Sequence, residues 1–294
     1  VSIRQSWTEK TFEAINLLLM LGISIAMLYP FYYMFIVSIS DNVSVMTNQV
    51  KWLPVNWSFR AYAAVFKDPL ILRGFLNSFT YMIVGTALNM LMTALCAYPL
   101  SRHDLYGRNM FMKMIVFTMF FSGGLIPLFL LVSNLGLINS IGAVVLPGAI
   151  SVFNMIIMRS FFQSIPFALT ESAHIDGAND VYVFAKIILP LSMPIVATLI
   201  LFYAVAQWNA FLGPLMFLTE KAHYPIQLFV RNIVIEGQTA DIGMAINETA
   251  VAGATAEKSI KYAIILAAAA PVMLIYPFII KYFEKGVMVG SVKG

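Results

Sequence analysis

From Met114 to Met158 the chain carries no Asp, Glu, Lys or Arg, and further charge-free stretches cover 14–40, 74–101, 187–219 and 262–280. Each can hold at least one membrane crossing of about 17–25 residues. A water-soluble fold would need solvent-facing surfaces without charge along the whole of 114–158, which the polar cover of globular domains excludes. Of the 294 residues, 60% are hydrophobic and 11% charged, against about 25% charged in soluble domains. Lipid is the solvent that the sequence implies.

The 114–158 stretch has room for two crossings, divided by the polar, glycine-containing Ser133-Asn134-Leu135-Gly136-Leu137-Ile138-Asn139-Ser140. The expectation is an all-α polytopic membrane protein. Its spans, about six in number, are expected near 14–38, 75–100, 112–132, 142–162, 187–210 and 261–281, in a single transmembrane domain covering 1–294. A transmembrane barrel would need strands of about ten residues alternating apolar with polar. Runs such as Asn16-Leu17-Leu18-Leu19-Met20-Leu21 do not alternate. The first apolar run lacks the short core and small-residue cleavage site of a signal peptide and is expected to be retained. Cys96 stands alone and can form no intramolecular disulfide. The net charge of +4 is spread in ones and twos, without a basic stripe, so the lipid bilayer rather than nucleic acid is the expected surface partner.

Placing both termini in the cytoplasm puts Arg102 and Arg108 in the short 101–111 connection, where basic residues weigh most on orientation. It puts the long 39–74 and 211–260 segments outside. Trp52, Trp57, Phe59, Tyr62 and Phe66 then read as an aromatic belt at headgroup level. Gly213-Pro214, Tyr224-Pro225 and Gly237 break 211–260 into short helices and turns.

Between the fourth and fifth spans, Pro166 to Asp180 interrupts the apolar pattern with a short helix that opens near Pro166 and closes near Gly177. Glu171, Ile175 and Ala178 fall three or four residues apart and share a face; the small Ala173 and Gly177 let another surface approach the backbone. Asn179 or Asp180 can cap the helix that follows. Pro190 and Pro194 imply a kink where that helix enters the membrane. From the residues alone, a docking helix and a plain loop both fit.

Glu171-Ser172-Ala173, Gly177, and then Ile187-x-Leu189-Pro190 resemble the EAA-x3-G-x9-I-x-LP signature of ABC-importer permeases, with Ser172 replacing the first Ala. The fuller string Glu171-Ser172-Ala173-His174-Ile175-Asp176-Gly177-Ala178 is similar to the carbohydrate-uptake branch. So are Asn77-Ser78, the run from Thr93 to Arg102, Gly124-Leu125-Ile126-Pro127 and the run from Ala204 to Asn209, which resemble maltose-type second permeases and polysaccharide-oligomer permeases.

The resemblance implies a subunit of a heteromeric importer in the bacterial cytoplasmic (inner) membrane. Its partners would be a homologous second permease, a dimer of ATP-binding subunits holding ATP and Mg, and an extracytoplasmic solute-binding protein. A coupling segment, 166–190, would dock on the ATP-binding subunits through Glu171, Ser172, Ala173, Ile175, Asp176, Gly177, Ala178, Leu189 and Pro190. The chain itself has no Gly-x-x-x-x-Gly-Lys-Ser/Thr loop and is expected to hold no cofactor.

Two rival classes find less support. An enzyme would draw on His103 with Asp104, His174 with Asp176, or His223 with Glu220, but none forms a metal or nucleophile pattern, and each histidine reads as a solvated loop residue. His103 and Asp104, if helical, would point apart. A channel or secondary transporter would need an intramembrane charge relay, and the expected spans contain no Asp or Glu.

Tyr81, Asn89, Asn154, Tyr203, Gln207, Trp208 and Asn209 are the candidate path residues, because indole faces pack on sugar rings and amides bond their hydroxyls. With Lys113, Arg159, Lys261 and Lys281 all near the ends of the expected spans and no cation midway to neutralise a carboxylate, a neutral oligosaccharide is the expected cargo. A uronate oligomer from alginate or pectin is the alternative, with positive charge supplied by the partner permease and binding protein or by Arg73, Lys221 or Arg231 near the outer mouth; these three read first as solvated loop charges.

Overall fold

The computed structural model describes residues 7–235 and 258–275, and among them regular structure is helical apart from one isolated bridge between Ser40 and Trp57. Two compact units divide the chain, Val1–Pro69 with Glu236–Ala268 and Leu70–Ile235 with Ala269–Gly294.

In the first unit, α1 (Trp7–Ser38) spans 32 residues, about 48 Å of helix. Most of its length is exposed, and only Ile36, Val37 and Ser38 at its end are buried. Asp41 caps the short α2 (Asn42–Met46) by accepting the Val43 N–H at 3.2 Å. Ile36, Val37, Val45 and Val50 form a small apolar cluster flanked by Tyr33 and Tyr262. α3 (Arg60–Lys67) follows, and the Tyr62 hydroxyl lies 3.0 Å from Ser38 Oγ. Trp52, Trp57, Phe59 and Phe66 are exposed.

The second unit is built on α4 (Pro69–Ser101), an unbroken 33-residue helix. Gly74, Ser78, Tyr81, Gly85, Asn89, Thr93 and Ala97 recur every three or four residues along it and are buried, whereas Leu72, Leu76, Ile83, Leu91 and Leu95 are exposed. That inverts the pattern of a soluble helix. Lipid tails give leucine no reason to leave them, so small and polar side chains make the packed face.

Next come α5 (Arg108–Phe120) and α6 (Leu125–Asn134), bent by 108° against each other. The straight crossing expected over 112–132 is therefore broken, because Gly124 sits at φ +88°, outside the helical region. The span expected over 142–162 is interrupted as well. α7 (Ile141–Val145) ends before Pro147-Gly148, and α8 (Val152–Ser164) restarts from a Ser151 cap. α9 (Phe167–Ile175) turns 69° away from α8 across Ile165-Pro166.

The crossing expected over 187–210 begins earlier, with α10 (Asp180–Val183), a π-helical turn Phe184–Ile188, and α11 (Leu189–Leu191). An 83° bend at Ser192 separates these from α12 (Met193–Trp208). Pro190 and Pro194 flank the bend and supply no N–H to a continuous ladder. α13 (Leu212–Phe217), a 3-10 turn Lys221–His223 and α14 (Ile226–Ile235) make the broken segment expected after 211; Gly237 lies outside the described residues. The last helix, α15 (Lys258–Ile275), covers the described part of the span expected over 261–281. Helices α1, α4 and α15 are each long and apolar enough to cross a membrane, and three bent pairs bring the total to as many as six.

Residues of α4, α8, α10 and α12 share an apolar core that includes Ala97, Met155, Met158, Phe162, Val183 and Leu199. Elsewhere in the unit, Asn139 adopts φ +59° and its side chain latches two segments together. Its Oδ1 accepts the N–H of Thr219 at 2.7 Å and of Glu220 at 3.2 Å, while its Nδ2 donates to Thr219 Oγ1 at 2.7 Å. Asn139→Ala removes these bonds and strains a left-handed position, an expected loss of about 1–3 kcal/mol. Asn139→Gly relieves the strain and should melt between the wild type and Asn139→Ala in detergent.

Candidate functional site

Helix α9 ends in a Schellman turn. The Ala178 N–H bonds the Ala173 carbonyl at 2.9 Å and the Gly177 N–H bonds that of His174 at 3.0 Å, with Gly177 at φ +85°. A Cβ on Gly177 would meet nothing within 4 Å, so its requirement inside this chain is conformational. Ala173 and Ala178 pack against the apolar core and Thr170 is buried, whereas Glu171, Ser172 and Asp176 are exposed and Ile175 is 86% exposed. The helix thus presents Glu171 and Ile175 outward. Ala178 does not share their face, as the spacing suggested, because the helix stops at Ile175 and the turn carries Ala178 inward. Of the two cap candidates, Asn179 is the one used: its Oδ1 accepts the Tyr182 N–H at 2.8 Å. Leu189 packs against the core and Pro190 is exposed.

Beside this segment lies a cluster of charges. Arg102, the first residue after α4, grips Asp104 with two hydrogen bonds, Nε to Oδ1 at 2.9 Å and Nη2 to Oδ2 at 2.7 Å. Its Nη1 bonds Asp180 Oδ1, the same oxygen that lies 3.1 Å from His174 Nε2. The Arg102 hydrogen bonds hold the Asp104 carboxyl below the ordinary carboxylate range, and those to Asp104 push the Arg102 pKa up. A depressed carboxylate stabilises the fold above its unfolded pKa, and the effect is lost as pH falls through the folded value. Asp104 is half exposed, so solvent screens much of it.

His174 is consequently no free loop histidine: it closes α9 and faces Asp180. His103 and Asp104 lie in the connection after α4 rather than on a helix, with His103 Nδ1 3.3 Å from Arg108 Nη1. His223 Nε2 is 3.6 Å from Glu220. Among the described residues no group of three or more metal-ligating side chains comes together.

The path candidates occupy α4, α8 and α12. Asn89 is buried, with Oδ1 unpartnered. Tyr203 OH lies 2.6 Å from Thr93 Oγ1 and accepts the Ser151 N–H at 3.2 Å; Asn154 is buried near the start of α8. Trp208 is buried edge-on to Phe79, ring centroids 5.0 Å apart. Asn209 ends α12 in the open, where its Oδ1 accepts from Gln227 at 3.4 Å. Tyr81 donates to the His223 carbonyl at 2.7 Å, next to Asn77, whose amide bonds the Ala222 and Tyr224 carbonyls at 2.8 and 3.0 Å. Ser78 Oγ accepts the Ile226 N–H at 2.8 Å. Arg102, Asp180, Asn77, Ser78 and Gly85 lie outside the expected site residues, although Asn77-Ser78 and Arg102 belong to the family-like strings and Asp180 is a cap candidate; Gly85 carries no signal in the sequence.

The described residues thus form a many-span helical chain with α9 exposed at one of its bends. The chain belongs to the family of binding-protein-dependent transport system inner membrane components, whose model matches residues 13–289. It is the transmembrane permease subunit of a carbohydrate-type ABC importer, a transporter subunit rather than an enzyme.

Among its relatives, the polygalacturonan/rhamnogalacturonan transport system permease protein YtcP of Bacillus subtilis is 44% identical over 90% of this chain and 92% of its own length. Protein LplC of the same organism is 38% identical over 97% and 96%. A solved bacterial ABC transporter involved in the import of the acidic polysaccharide alginate has a chain that superposes with a TM-score of 0.87 at 30% identity, covering 96% of this chain and all of that one.

Gly85 gives the site a testable packing feature. A Cβ there would come within 2.7 Å of the Gln207 amide carbon, so the glutamine lies directly across the α4 backbone. The opposing atoms are the far end of a flexible side chain and alanine favours the helix, so Gly85→Ala is expected to displace the Gln207 amide at a net stability change of about 1 kcal/mol or less. Gly85→Ala/Gln207→Ala, which removes the displaced amide, should melt at or above Gly85→Ala in a detergent series.

Proposed function

We propose that this chain moves an oligosaccharide bearing uronate units, of the kind released from pectin or alginate, across the bacterial cytoplasmic membrane by alternating access. The observation that carries the cargo reading is that two similar proteins, at 44% and 30% identity, are named for polygalacturonan/rhamnogalacturonan and for alginate. They favour the acidic alternative over the neutral oligosaccharide expected from the charge-poor spans. Charge at the mouth can do what charge in the spans does not. Asn77 holds the turn carrying Lys221, which places Arg73, one helical turn earlier on α4, toward the same end. Cations there draw a polyanion in without fixing it midway. The amides of Gln207 and Asn209 then serve sugar hydroxyls, while the buried Tyr81, Asn89, Asn154, Tyr203 and Trp208 shape the wall behind them.

In this reading residues 1–294 form a single permease domain with both termini cytoplasmic, paired with a homologous second permease. An extracytoplasmic solute-binding protein delivers cargo. A dimer of ATP-binding subunits, holding ATP and Mg, engages the coupling segment 166–190. The outward Glu171 and Ile175 contact those subunits, with Ser172 and Asp176 beside them; Ala173, Ala178 and Leu189 tie the segment to the spans, and Pro190 sets the bend where it enters them. Preferential binding of the ATPase pair to one permease conformation shifts the population.

Glu171→Lys should abolish substrate-stimulated ATP hydrolysis while the complex still assembles. Gly177→Asn, which tolerates a left-handed backbone, should retain more stimulation than Gly177→Leu, and wild-type stimulation in both Glu171→Lys and Gly177→Leu would refute the coupling role. Calorimetry on the cognate binding protein should show tight binding of galacturonate or alginate oligomers. Tight binding of neutral oligomers alone would restore the neutral cargo, and binding only of peptides or inorganic ions would overturn saccharide import.

A further inference from the structure

Helix α4 is tied by polar side chains at both ends. At one end Asn77, Ser78 and Tyr81 hold the backbone of residues 222–226. At the other, Arg159 Nε donates to the Leu100 carbonyl at 2.7 Å and Gln163 Nε2 to that of Ser101 at 3.4 Å, which fixes the end of α4 to α8. Arg102 then reaches from that fixed end to Asp180, the first residue of α10, whose carboxylate also meets His174 in the last turn of α9. From Asn77 to Ser101 α4 runs as one continuous helix, about 36 Å long.

We propose that Arg102 and Asp180 are positioning residues for transport: they join the coupling segment to α4, which carries the segment's displacement as a rod to the 222–226 loop. This rests on the coupling role of 166–190 argued above. A packed continuous helix moves as a unit, so a shift imposed on Asp180 at one end is delivered to the backbone carbonyls held by Asn77 and Tyr81 at the other. Asp104 keeps the guanidinium oriented by its two-point grip and leaves Nη1 for Asp180. The joint lies outside the candidate path, so its loss separates ATP turnover from cargo movement without touching cargo contacts.

The test is the number of substrate molecules moved per ATP hydrolysed by the full importer in proteoliposomes. In Asp180→Asn and Arg102→Gln, ATP hydrolysis should persist while that ratio falls about tenfold. The exchange Arg102→Asp/Asp180→Arg, which faces an arginine with Asp104 and the new aspartate, should restore it. A wild-type ratio in both single variants overturns the proposal, and so does a lost ratio that the exchange fails to recover. Glu171→Lys serves as the reference. Loss of stimulation in Glu171→Lys beside wild-type Arg102 and Asp180 variants removes the rod alone, whereas wild-type behaviour in Glu171→Lys removes the coupling reading beneath it.

Discussion

Hydrocarbon offers no hydrogen bond to a free peptide group, so every interruption of a helix in this chain has to be met from within the protein. The interruptions show how. Where α8 restarts after Pro147-Gly148, the Ser151 N–H goes to the Tyr203 hydroxyl and the Ser151 side chain caps the Asn154 N–H at 3.4 Å. Where α4 ends, Arg159 and Gln163 supply donors to its last carbonyls. The loop after α6 is closed by Ser140, whose Oγ accepts from Ala143, and by Asn139. Among the described residues, polar side chains therefore gather at these breaks and along the packed stripe of α4, whose Leu72, Leu76, Leu91 and Leu95 are left exposed.

Against that constraint, the parts legible in the sequence are those written as local pattern. Charge-free runs marked the membrane segments because a charge in hydrocarbon is costly wherever it falls. The short helix α9, proposed above for coupling, was legible because Pro166 and Gly177 act on their own backbone: one cannot continue a helix, and the other adopts φ +85°. The bends were not. Hydropathy is blind to a change of direction, and 112–132 reads as one apolar run although Gly124 splits it into helices 108° apart. The assignment of Ala178 to the face of Glu171 failed for a related reason, since helical spacing was extended past the residue where the helix stops.

The charge cluster was out of reach for a different reason. Arg102 and Asp180 stand 78 positions apart, and nothing local to either requires the other. Gly85 and Gln207 are a second case: a glycine within an apolar helix has many explanations until the amide lying across it is seen. The proposed cargo shows the same limit. A lack of charge midway through the spans fits a neutral solute, but it says nothing about fields at the mouth or on another subunit, and these govern how a polyanion approaches.

The strength of the Arg102 joint fits a positioning contact better than a structural one. The Arg102 side chain is 21% exposed and that of Asp180 63%, and ion pairs in such surroundings contribute about 0–1 kcal/mol, reduced further by salt. Interactions of that size do not hold four helices together; the apolar core of Ala97, Met155, Met158, Phe162 and Leu199 does that. A joint of that size can still set how two packed elements sit against each other, because it contributes orientation rather than stability. Two-point bonding to Asp104 holds the guanidinium with Nη1 toward Asp180. The joint proposed above therefore depends on geometry more than on bond strength.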